Sequence, residues 1–287
     1  MKNKKITCIY KLIFSFFCLL LFYNAAFAAK PQEQKYQLQI DGRPFTPPFY
    51  PHLQNYDLTL TSQGNNPRHY PIPVTRHHII PLNVLRDFYN TVVEKKTRIE
   101  TFRRFFISFA QRIPYYLTAT RAGQVFMNTH RNEVQGVILI NKRLGAGTMQ
   151  SGGERPPAHY DDFQKFYAWM PWNLFIGPSG DYRTDDPGRD FESNAKYIVN
   201  NICIWRQIEQ LYRLMVGYTT NPCERNQPNT FKTINRLLSN LLISRRTPYR
   251  LKAQQWVRTH NSRTGKPQYH IRITHCCCFI RCIRGNH

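Results

Sequence analysis

At Pro81 the spacing of apolar residues changes, and this change constrains the fold more than any other feature of the chain. Before it, Tyr70 to Ile80 has the look of an extended strand, which Pro81 ends. After it, Leu82, Leu85, Phe88, Tyr89, Val92 and Val93 recur at helical intervals, as do Ile99, Phe102, Phe105, Phe106 and Phe109. Further helical stripes run through Tyr160, Phe163, Phe166, Tyr167 and Met170, through Ile198 to Met215, and through Phe231 to Leu242. Period-two alternation is confined to the ends of the chain: Tyr36, Leu38 and Ile40, then Tyr56, Leu58 and Leu60, and last Tyr269, Ile271 and Ile273. The pattern predicts an α+β protein with more helix than strand. Four regions follow: 1–28, 29–73 with short strands and proline turns, 74–244 as the main domain, and a basic, cysteine-rich tail over 245–287.

The first region reads as an export signal. Lys2, Lys4, Lys5 and Lys11 precede an uncharged run from Leu12 to Tyr23, and Ala26-Phe27-Ala28 supplies a small-residue cleavage site. The run is shorter than the roughly twenty residues a membrane-crossing helix needs, so cleavage after Ala28 is expected rather than stable membrane insertion. Secretion or a periplasmic location follows. Removing these four lysines lowers the formal charge from +23 to +19, so the remaining chain is basic by its own composition. Such charge attracts polyanions: nucleic acid, anionic lipid or lipopolysaccharide. It does not choose among them.

Six cysteines remain beyond the signal: Cys203, Cys223, Cys276, Cys277, Cys278 and Cys282. In an oxidising compartment disulfides are expected, and a Cys203 to Cys223 bridge is one candidate. The terminal cluster with His275 is a weaker candidate for a soft metal, because neighbouring cysteines cannot all reach one ion. No Gly-rich phosphate loop, H-E-x-x-H helix or G-x-S-x-G elbow occurs, which leaves ATPase, zincin and serine-hydrolase chemistry without a basis.

Two polar constellations carry the functional expectation. In Arg76-His77-His78-Ile79-Ile80-Pro81, adjacent strand residues face opposite ways, so the two histidines have different surroundings; a pair of surface histidines near a turn is the plain alternative. The second is Trp172-Asn173-Leu174 followed by Arg183, Asp185, Asp186, Pro187, Gly188, Asp190 and Glu192. Carboxylates offer oxygen ligands to Mg²⁺, Mn²⁺ or Ca²⁺, and imidazole adds Zn²⁺ or Ni²⁺. The same acids precede a helix, where capping would account for Asp190 and Glu192.

The run His77-His78-Ile79-Ile80-Pro81-Leu82 with the distant Asn173-Leu174 resembles the HNH, or His-Me finger, nuclease superfamily, especially the HH-type domains of bacterial secreted and polymorphic toxins. The stretch Arg183, Asp185-Asp186-Pro187-Gly188, Phe191-Glu192 looks like the tail of some of these domains. The resemblance covers two islands within 74–195. It implies a ββα-metal-like core, here interrupted by a long helical insertion because 95 positions separate His78 from Asn173. It also implies a divalent ion, Mg²⁺ first and Mn²⁺, Zn²⁺ or Ni²⁺ next, held by His77. By the same resemblance His78 is the general base and Asn173 braces the metal loop. No His or Asn stands at the usual third position, and Asp186, or else Asp185, is the substitute; Arg183 is the expected phosphate clamp, and His159 a fallback ligand. The implied activity is phosphodiester hydrolysis of nucleic acid, DNA before RNA, with an acidic immunity or inhibitor protein as a partner if the chain is a toxin. A non-catalytic cationic module binding nucleic acid or envelope polyanions is the alternative. A membrane-directed effector using a lipidated tail is a third.

Overall fold

The computed structural model describes residues 71–147 and 157–274, together with Leu38, Tyr50, Pro51, Leu53, Tyr56 and Asp57. The expected export signal, most of the 29–73 region, residues 148–156 and the terminal cysteine cluster lie outside these residues. Short strand β1 (Tyr56–Asp57) pairs with β2 (Pro71–Ile72), and β3 (Val74–His78) follows at once. At the period change the chain turns through Ile79 and Ile80, both fully buried. The Pro81 carbonyl then accepts from the backbone N–H groups of Val84 (3.1 Å) and Leu85 (3.2 Å) and opens α1 (Leu82–Val93). Proline suits this place because it has no N–H of its own to lose.

Five more helices follow before the chain returns to the strand. They are α2 (Lys96–Thr101), α3 (Arg103–Leu117), α4 (Arg121–Thr129), α5 (Arg131–Gly145) and α6 (Tyr160–Ala168). The expected apolar stripes are the buried ones: Leu85, Phe88, Tyr89, Val92 and Val93 on α1, and Phe105, Phe106 and Phe109 on α3. Their rings meet edge-on or offset, as between Phe88 and Phe102 (5.3 Å, 89°). Asn235 reaches across to the junction of α2 and α3, accepting from Phe105 N–H and donating to the Thr101 carbonyl. Arg103 and Arg104 are exposed on the outer face of α3.

Strand β4 (Leu174–Pro178) comes after α6 and pairs antiparallel with β3. The second half holds α7 (Lys196–Val199), α8 (Ile202–Thr220), α9 (Pro222–Arg225) and α10 (Pro228–Ser244). Asn201 caps α8 by accepting from the N–H groups of Cys203 and Ile204. Helix α10 packs on α8 and α3, α3 on α5, and α1 on α8, making one apolar core. A last hairpin, β5 (Trp256–His260) with β6 (Pro267–Ile271), completes the fold. The described residues thus form a helix-rich α+β structure with three two-stranded sheets, and the helices α1 to α6 are an insertion between paired strands.

The candidate bridge between Cys203 and Cys223 is not made: Cys203 is disulfide-bonded, whereas Cys223 is an exposed free thiol. The two flank the body of α8, whose 19 residues span about 28 Å at 1.5 Å per residue, whereas a disulfide needs Cα atoms within roughly 7 Å. Among the described residues, no helix is long and apolar enough to cross a membrane.

Candidate functional site

The two sequence islands meet in the β3–β4 ladder, where His77 lies opposite Phe175 and His78 opposite Leu174. Asn173, fully buried, closes the ladder. Its carbonyl accepts from Ile79 N–H (2.9 Å), its Oδ1 accepts from Ile80 N–H (2.7 Å), and its Nδ2 donates to the Ile80 carbonyl (2.9 Å). One side chain therefore satisfies both backbone groups of the residue that ends the histidine run, groups that would otherwise be buried without partners. The long gap between the islands is bridged by this amide and the strand pairing together.

The histidines face opposite sides of the ladder. His77 is 4% exposed and stacks on Phe175 (5.1 Å, 19°). Its Nε2 lies 2.8 Å from the Pro178 carbonyl, an acceptor only, so Nε2 carries the proton and Nδ1 is the acceptor. Around Nδ1 stand Arg183 Nη1 (3.2 Å) and Asp186 Oδ2 (3.6 Å). His78 instead tilts against Trp169 (5.1 Å) and places Nε2 2.8 Å from the Ala168 carbonyl at the end of α6. The same reasoning makes Nδ1 its basic nitrogen. His78 is half-buried, in contrast to its neighbour.

Arg183 is the hub of the His77 face. Its side chain is fully enclosed, with Nε on Asp185 Oδ1 (2.9 Å), Nη2 on Glu192 Oε2 (2.5 Å) and Nη1 on His77. Phe175 and Trp256 flank the guanidinium at 5.3 and 5.6 Å. An arginine so enclosed orders the protein, and a phosphate would have to displace one of these partners to reach it. Asp185 carries the network onward by accepting from Ile271 N–H of β6 (2.9 Å). Asp186 closes its own turn by accepting from Gly188 N–H (2.9 Å), with Gly188 in the left-handed region (φ 65°) that glycine adopts without strain.

Glu192 does not cap the following helix. It is buried against Arg183, its N–H donates to the Ile79 carbonyl, and burial raises its pKa to about 7 although the guanidinium pulls the other way. Asp190 is exposed in the loop, and Asn201 does the capping of α8. His159 stands at the start of α6 with Nδ1 3.3 Å from Asp162, its ring against Gly136.

A divalent ion at His77 would find the ring held as metal-bound imidazoles are, with the far nitrogen donating to a carbonyl, here that of Pro178, which fixes the tautomer. The rest of the donor set does not fit. His77 and Asp186 supply two ligands, and the Arg183 cation already stands at the same Nδ1. Among the described residues, no group of three or more His, Cys, Asp or Glu side chains is gathered for a metal. As placed, His77 and Asp186 serve the Arg183 network.

Three residues of this neighbourhood, all from the supposed tail, carry no sequence expectation of a place beside the histidines: Tyr249, Trp256 and Tyr269. Tyr249 exchanges backbone hydrogen bonds with β4, donating to the Leu174 carbonyl and accepting from Ile176 N–H (2.8 Å each). Trp256 covers Gly177 so closely that a Cβ there would lie 2.7 Å from its ring. The Tyr269 carbonyl accepts from Thr184 N–H (3.0 Å). The alternation in Tyr269 and Ile271 signals the strand, but nothing local signals its partner.

No family model matches the chain, and no solved structure matches it. A protein designated p9 from Acyrthosiphon pisum secondary endosymbiont phage 1 is 33% identical over 152 residues, covering 51% of this chain and 40% of the phage protein. The chain thus spans less than half the length of that relative.

Proposed function

We propose that this chain is an exported, secreted or periplasmic, nucleic-acid hydrolase in which His78 is the general base. The observation that supports the reading best is the join between the islands. Asn173 fixes the turn immediately after the histidine pair, and the Ala168 carbonyl orients His78 so that Nδ1 is its basic nitrogen. A neutral imidazole held in this way takes a proton from water, and the hydroxide attacks phosphorus in line with the leaving 3′ oxygen. His77 is a positioning residue in this scheme. It ties β3 to Arg183, and Arg183 ties the ladder to Asp185, Glu192 and the C-terminal hairpin. The strong positive charge supplies affinity for DNA or RNA.

The test is digestion of plasmid DNA and total RNA by the purified protein with Mg²⁺, Mn²⁺, Zn²⁺, Ni²⁺ or EDTA, beside His78→Ala. Cleavage that disappears in the variant while gel-shift binding persists supports the hydrolase, and the metal arms show which ion, if any, it uses. Binding without cleavage under every condition overturns the proposal in favour of a cationic binding module. A chain deployed as a toxin is further expected to be neutralised by a small acidic protein.

A further inference from the structure

The His78 face of the ladder carries a cavity of about 410 Å³, within the range of roughly 300–1,000 Å³ typical of small-ligand pockets. Its floor includes Arg76 and Ile176, which are cross-strand partners. Its walls include Tyr50, Pro248, Arg250 and Leu251. Arg76 and His78 stand two residues apart in β3 and so share one face. A second link runs through the wall itself, because the Tyr50 hydroxyl donates to the Trp169 carbonyl (2.6 Å) and the Trp169 ring lies against His78.

The chemistry of the cavity is cationic and aromatic. Arg76 lies over the Tyr50 ring at 5.0 Å, and Arg250 is exposed at the mouth. No carboxylate is among the described lining residues. Beside the lining residue Pro248, Arg246 lies over Tyr115 (4.4 Å), and Arg112 lies over the same ring (5.3 Å). Arginine and aromatic groups interleaved along a basic surface are what a flexible nucleic-acid strand requires: charge for phosphate and flat apolar faces for bases.

We propose that this cavity receives one unstacked nucleotide of a single-stranded nucleic acid, with its phosphate toward the exposed Arg250 and its base against the apolar wall of Ile176, Pro248 and Leu251. A concave pocket of this size takes a splayed nucleotide and not a stacked base pair, and a single strand presents one without the unpairing and unstacking cost that a duplex must meet, so single strands are the favoured class. The position of the cavity beside a scissile bond rests on the hydrolase reading. Binding of the strand does not.

The experiment is fluorescence anisotropy in EDTA with labelled oligothymidylate, oligouridylate and a duplex of equal length. The proteins are wild type, Arg250→Glu, Thr247→Phe and Arg103→Glu. Thr247 lines the cavity, so its enlargement fills space at constant charge, and Arg103 is an exposed control on α3. The expected result is weaker single-strand binding by about tenfold for Arg250→Glu and for Thr247→Phe, with about twofold or less for Arg103→Glu; tenfold corresponds to about 1.4 kcal/mol. Equal losses from Arg250→Glu and Arg103→Glu, or no loss from Thr247→Phe in a folded protein, overturn the proposal, as does duplex binding as tight as single-strand binding. A wild-type protein that binds in this pattern but cleaves nothing keeps the cavity and removes the hydrolase. Cleavage with binding indifferent to the cavity does the reverse.

Discussion

The helical insertion and the ladder it interrupts are held together by different physics. Between Leu82 and Ala168 the core is phenylalanine, tyrosine and aliphatic side chains, and burial of apolar surface accounts for its cohesion. The ladder and its flanking loop depend on a few polar contacts: the Asn173 amide on Ile80, and Arg183 among His77, Asp185 and Glu192. Apolar packing tolerates changes of pH and salt, whereas an ionic hub answers to the protonation of its partners. The insertion is therefore a stable platform, and the site beside it is the part that conditions can alter.

Two substitutions of similar size separate these regimes. Phe109→Ala, on a fully buried side chain of α3, is expected to cost about 3–5 kcal/mol by chemical denaturation, with little dependence on pH. Arg183→Leu is expected to cost about 3–5 kcal/mol at neutral pH because it strands the buried Glu192 carboxylate and the half-buried Asp185, and the penalty should shrink in acid as Glu192 takes up a proton. A penalty for Arg183→Leu that is constant with pH would erase the distinction.

Asn173→Ala should cost roughly 2–4 kcal/mol, since both backbone groups of Ile80 lose their partner. Gly177→Ala should cost about 1–3 kcal/mol by forcing Trp256 away, with His77 Cδ2 also only 3.2 Å from the new methyl group. The effect that depends most on pH belongs to Glu192. Its pKa is raised in the folded state from 4.5 to about 7, so its contribution to stability is full below about 4.5 and is lost as pH rises through about 7. Against Glu192→Gln, which cannot titrate, the wild type should lose stability across that window; denaturation midpoints that run parallel would contradict this.

Much of the insertion is legible in the sequence. Its helices announce themselves through the spacing of Leu85, Phe88, Tyr89 and the phenylalanines of α3, because a helix that buries one face must repeat that face locally. Helix α5 is absent from the sequence expectations, although Val134, Val137, Ile140 and Leu144 form the same kind of stripe. The site is legible in part. The residues Asn173, His77 and His78 stand out by type, and the structure brings Asn173 to the turn that follows the histidines. What sequence does not carry is the side to which each group points. Arg183 offers itself as a phosphate clamp, yet its orientation is set by Trp256, Glu192 and a hairpin far along the chain. The supposed tail joins the main domain for the same reason: Tyr249 meets β4 through backbone groups, which carry no residue signature.

In the proposed hydrolase the adjacent histidines divide their work, His78 serving the chemistry and His77 the architecture. Cleavage of single-stranded DNA and RNA and thermal unfolding, measured together on wild type, His77→Ala and His78→Ala, test it most directly. His78→Ala is expected to lose cleavage by at least about a hundredfold, the lower end of general-base effects, with its unfolding temperature nearly unchanged, while His77→Ala unfolds at a clearly lower temperature. A His78→Ala protein that cleaves as fast as wild type, or a wild type that cleaves nothing, would contradict it.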